Sequence, residues 1–101
     1  MDVKLIRMAT GEDLIAEIVE HDEAGIKLKN PCIVLIQPTE TSRANINITH
    51  WVPYAADKDF IINNQHVIFM IDPADDLLNN YKAAFSPLIL AKSQDIIRAV
   101  K

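Results

Sequence analysis

Through most of residues 3–71, apolar side chains recur at every second position, and a period of two predicts strands. Residues 3–8 read as a first strand. In the second, Leu14, Ala16 and Ile18 alternate with Ile15, Glu17 and Val19. Ile26 and Leu28 then oppose Lys27 and Lys29, a half-exposed third strand. Pro31 permits a bend or an edge position there, and the chain continues through residues 32–36. After a polar loop at 37–42, Asn45-Ile46-Asn47-Ile48-Thr49 alternates as a fourth strand running toward Trp51 and Val52. Residues 53–58 form a turn region. The fifth strand falls in residues 59–71, where Ile61-Ile62, a polar hinge (Asn63-Asn64-Gln65-His66) and Val67–Ile71 follow in order. Val67–Ile71 has no polar residue on either face, so it needs cover on both sides or a partner along its edge. The chain's two glycines, Gly11 and Gly25, each lie between apolar segments and are read as turns requiring positive φ.

The period then changes. Asp72-Pro73 is a helix start, with Asp as cap and Pro at the first helical position. Asp75 and Asp76 suit the positive end of the helix dipole. Leu77, Leu78, Tyr81 and Phe85 make one apolar stripe over a helix of about 73–85, which Ser86-Pro87 ends. Leu88-Ile89-Leu90-Ala91 reads as a further strand, and 93–101 suits helix or strand. The expectation is a single mainly-β domain over 1–101, a small antiparallel barrel or sandwich over about 3–71 with a C-terminal helix and a short extension at 86–101.

Half of the 101 residues are apolar, enough for a core, yet domains this small often gain stability by oligomerising. The single cysteine, Cys32, excludes an internal disulfide and sits in an apolar run as an expected core thiol. No signal peptide and no apolar run of membrane-spanning length is evident, so a reducing cytoplasm is the expected setting and no membrane partner is expected. A net charge of −4 argues against coating nucleic acid by bulk electrostatics, though not against a local polar site. His21, His50 and His66 have no ligand partners at metal spacing, and no nucleophile elbow, phosphate loop or glycine-rich fingerprint occurs. No enzyme, metal or cofactor is expected. The run Glu20-His21-Asp22-Glu23 suits either a solvated turn or a cation. Trp51 and Tyr54 suit packing or base stacking.

Residues 4–28 followed by 61–71 resemble the two sequence motifs of the Sm-like (LSm) family. In the first motif Gly11, Ala16 and Asp22 stand at the family's spacing, and Ile26 and Leu28 open its next strand. In the second, Ile61-Ile62, Asn63-Asn64, Gln65-His66 and Val67 occupy the slots of an apolar pair, Arg-Gly, two variable residues and a valine. The chain as a whole is similar to the small Sm-like proteins of marine cyanophages. It departs from the family pattern at Ala16, which replaces a glycine, and at Asn63, which replaces an arginine. The loop after Asp22 lacks the RNA-contacting asparagine and the stacking side chain, and the family's usual N-terminal helix is missing.

The resemblance implies a short, strongly bent five-stranded barrel assembled as a ring of five to seven copies, non-enzymatic and binding RNA or single-stranded DNA. In such a ring the fifth strand pairs with a neighbour's fourth, which would place Val67, Phe69 and Ile71 at the subunit interface. Asn63, Asn64, Gln65 and His66 would face the pore beside Asp22 and Gly25, their amides and imidazole reading bases. The alternative reading is a phage scaffold ring that keeps the fold without the nucleic-acid site.

Overall fold

The computed structural model describes residues 1–38 and 44–85. The described residues form six strands: β1 (Val3–Met8), β2 (Asp13–Asp22), β3 (Gly25–Pro38), β4 (Ala44–His50), β5 (Asp59–Ile62) and β6 (Val67–Ile71). A 3₁₀ turn, Asn64–His66, joins β5 to β6, and an α-helix, α1 (Asp75–Phe85), follows. All strand pairs are antiparallel, in the order β4-β3-β2-β1-β6, with β5 also on β3. The structure corrects the expected fifth strand, because residues 59–71 form two strands with different partners. β5 pairs with β3 and β6 pairs with β1. Among the described residues the ladder is open, with no pairing between β5 and β6, so the strands do not close a barrel. The expected strand at 88–91, the extension at 86–101 and most of the loop at 37–42 lie outside the described residues.

The sheet has a core on each face. On one, Ile6, Met8, Leu14, Ala16, Ile26, Leu28 and Ile62 are buried together, with Val67 and Met70 of β6 packed against them. On the other, Val3, Ile15 and Cys32 meet Leu77 and Tyr81 of α1, with Leu78 and Phe85 beside them. This is the helical stripe read from the sequence. Its start differs. The first intrahelical bond runs from the Leu78 N–H to the Ala74 carbonyl, 2.9 Å. Asp72 is instead held by Lys4 Nζ at 2.6 Å, so a cross-strand ion pair takes the carboxylate that was expected to cap the helix.

β3 owes its two partners to Asn30, whose φ is +50°. Before it, Ile26 and Leu28 face the first core. After it, Cys32 and Val34, also even-numbered, face the second. One left-handed residue therefore switches the strand's faces, and its register against β2 shifts there. The N-terminal half pairs with β5 and the C-terminal half with β4. The Tyr81 hydroxyl lies 3.0 Å from the Lys29 carbonyl and 2.9 Å from that of Asn30, sharing its one proton between them across the kink. Among the described residues no helix is long and apolar enough to cross a membrane.

Candidate functional site

The β2–β3 hairpin turns through Glu23 and Ala24, with Asp22 paired to Gly25. Asp22 Oδ1 accepts the Ala24 N–H at 2.9 Å, a local side-chain turn that fixes the loop. Gly25 has φ +139°, and any Cβ there would collide with the Ile62 carbonyl oxygen. Only glycine lets this hairpin lie so close to the end of β5. That contact brings the polar hinge against the hairpin turn. Asn64 Nδ2 donates to the Asp22 carbonyl at 2.9 Å, joining positions 42 residues apart.

The hinge is a capped 3₁₀ turn. Asn63 Oδ1 accepts the Gln65 N–H at 2.9 Å, and the His66 N–H donates to the Asn63 carbonyl at 3.0 Å. Its far end is tied to β1, where the Ala9 N–H donates to the His66 carbonyl at 2.7 Å. All six candidate residues thus come together: Asp22, Gly25, Asn63, Asn64, Gln65 and His66. Their roles differ from the sequence reading. The Asn63 and Asn64 amides hold the backbone, so they are less available to a ligand than expected. The side chains of Gln65 and His66 are exposed. Asn64 Oδ1 is buried without a hydrogen-bond partner among the described residues. A shallow open concavity beside the hinge is lined by Asp22, Glu23 and Ala24, and its character is acidic.

The expected interface strand is placed unevenly. Val67 packs against the first core. Phe69 lies under the Arg7 guanidinium, 5.3 Å from the ring centroid, and Arg7 is itself paired with Asp13 at 2.5 and 2.9 Å. Ile71 is 48% exposed. Ile68 is 61% exposed and was missed by the sequence reading, because simple alternation turns it inward beside Met70. The register of β6 on β1 shifts at this point, between Arg7 and Met8, and leaves Ile68 unopposed. Among the described residues the outer edge of β6 has no strand beside it.

The remaining candidates resolve individually. Trp51 packs on the first core, its ring 6.0 Å from that of Phe60 and its Nε1 donating to Glu12 at 3.3 Å. Tyr54 is exposed. Burial pushes the Cys32 thiol up to about 11, which removes the thiolate a nucleophile needs. Among the described residues, no three of His, Cys, Asp and Glu group as a metal set.

Residues 1–86 match the model of a family of unknown function, DUF6561. The chain belongs to that family. The match spans all six strands, both turns of the candidate site and α1, so the site lies wholly within what defines a DUF6561 protein. No curated protein matches the sequence.

Proposed function

We propose that this DUF6561 protein assembles as a homo-oligomeric ring of Sm-like subunits and holds single-stranded nucleic acid, RNA foremost, at the pore. The reading is non-enzymatic. The observation that carries it is the meeting of the two motif turns through Asn64 and Asp22. Assembly draws on the open ladder. β6 ends one side of the sheet and β4 the other, and pairing β6 with a neighbour's β4 would continue the sheet from subunit to subunit. Five to seven copies fit the resemblance. Gln65 and His66 are the ligand-facing side chains of this reading, since the hinge asparagines are engaged in the turn.

The test is an anisotropy titration with short single-stranded RNA and DNA at about 50 and about 200 mM salt. Replacing Gln65 and His66 with Ala should weaken binding about tenfold, roughly one bidentate contact in free energy, without changing particle mass. The salt slope should stay shallow, because a single strand contributes about −0.7 per phosphate neutralised and the site offers no lysine or arginine. A steep slope would move the contact to Lys27 and Lys29 on the outer face. Wild-type protein that binds no oligonucleotide at low salt would end the ligand half of the reading.

A second reading, a scaffold ring without nucleic acid, is favoured by a specific observation. Both hinge asparagines are spent on the backbone, and Glu20, Asp22 and Glu23 make the neighbouring turn anionic. In that case the hinge sets only the register of β5 and β6.

A further inference from the structure

β2 accompanies β3 only as far as the Leu14–Ile33 pair. From Val34 onward, among the described residues, β3 has β4 as its sole strand partner, through Val34–Ile48, Leu35–Asn47, Ile36–Ile46 and Gln37–Asn45. The base of this two-stranded arm is covered on one face, where Val34 and Ile48 pack on the second core beside Phe85. Further out, Leu35, Ile36 and Ile46 are exposed, Ile36 at 62%. A cross-strand bond there, from Asn47 Nδ2 to Gln37 Oε1 at 3.3 Å, is exposed as well. Two strands without a third are marginally stable in water.

The outer edge of β4 is also unprotected. Edge strands are commonly blunted by a charge, a proline or a bulge. β4 has no Lys, Arg, Asp, Glu or Pro, and its register with β3 runs without a shift. The residues of β6 are all apolar, and Ile68 and Ile71 are exposed. β5, by contrast, is only four residues long and begins with Asp59. The unblunted ends of the ladder are therefore two different strands, β4 and β6. Pairing like with like would need two separate two-fold contacts to use up both ends. Setting β6 on a second copy's β4 removes both with one repeated contact. We propose that β6 of a neighbouring copy is the third strand of the arm, and that the outer half of the arm holds its structure only while that strand is in place. This completion rests on the assembly half of the ring reading and is independent of nucleic acid.

Hydrogen exchange on the full-length chain, read beside its sedimentation, tests it. In the assembled wild type, residues 34–37 and 45–48 should exchange at least about tenfold more slowly than in monomeric Ile68→Lys, with β2 and α1 protected alike in both. Equal arm exchange in an assembled wild type and a monomeric Ile68→Lys would overturn the completed arm and leave the ring standing. A wild-type monomer would end the ring reading, and the completed arm with it. An Ile68→Lys chain that still assembles would also overturn the completed arm. A mixing experiment identifies the partner strand. Ile46→Lys keeps a usable β6 and Ile68→Lys a usable β4, so each alone should sediment as a monomer and an equimolar mixture should give one species of twice the monomer mass. In that mixture only the Ile68→Lys chain should gain arm protection, and its arm peptides are distinguished by mass at residue 46. A mixture that stays monomeric, or protection gained by the Ile46→Lys arm instead, would overturn the pairing of β6 with β4.

Discussion

Asn30 turns the fold over in one residue. Asparagine tolerates the left-handed region better than other side chains with a Cβ, and the kink sends the even-numbered residues before and after it to opposite cores. The kink exposes carbonyls that the Tyr81 hydroxyl satisfies from α1. Replacing Tyr81 with Phe removes that donor from a buried position and should cost about 1–3 kcal/mol by urea unfolding. A cost within the few tenths expected of surface changes would mean that the hydroxyl is not the donor. Burial raises both the Tyr81 phenol and the neighbouring Cys32 thiol, the thiol to about 11. Each group is neutral when protonated. As pH rises above 9.0, the ordinary thiol value, the unfolded chain loses protons that the folded chain keeps. Stability should therefore be constant through neutrality and fall between about pH 9 and 11, which urea midpoints across that range would show. Burial of Cys32 was legible from its apolar run. The kink was not: Pro31 suggested a bend, but nothing local distinguishes an asparagine that turns left-handed from one in an ordinary loop.

At the scale of elements, legibility followed the length of the pattern. α1 was readable because Leu77, Leu78, Tyr81 and Phe85 repeat over three turns, and all four reach the second core. Its first turn was misread because Asp72 is also within reach of Lys4, which lies far away in sequence. Within the stripe, Leu77 is deeply buried and Leu78 only partly so. Leu77→Ala should then cost about 2–5 kcal/mol. Leu78→Ala should cost clearly less, and equal losses would mean that the helix sits rotated about its axis. The hinge was the harder case. Four polar residues announced a turn, but which amides bind backbone and which face outward is set by the approach of β2 and β3 through Gly25. Gly25→Ala tests that approach. It combines an unfavourable φ with a collision against Ile62 and should destabilise by more than about 1 kcal/mol. A neutral result would show that the hairpin and hinge do not lie in contact.

For the whole molecule the decisive feature is β6. Its inner edge is satisfied by β1, its outer edge is open among the described residues, and Ile68 and Ile71 are exposed. An open apolar edge is a liability unless another strand covers it. The same property makes a clean experiment possible. Ile68 contributes little to the isolated fold, so Ile68→Lys should leave the monomer's stability nearly unchanged, whereas Phe69→Lys would also break the packing under Arg7. In an assembly that pairs β6 with a neighbour, the introduced charge is desolvated without a partner, and the association is lost. Sedimentation of the wild-type protein at micromolar concentration should give one species at a multiple of 11.4 kDa, and Ile68→Lys should sediment as the monomer with an unchanged circular dichroism spectrum. A variant that assembles as the wild type does would place the interface elsewhere than β6. A wild-type monomer would end the ring reading, and the exposed edge would then have to be tolerated through the shortness of β6 alone.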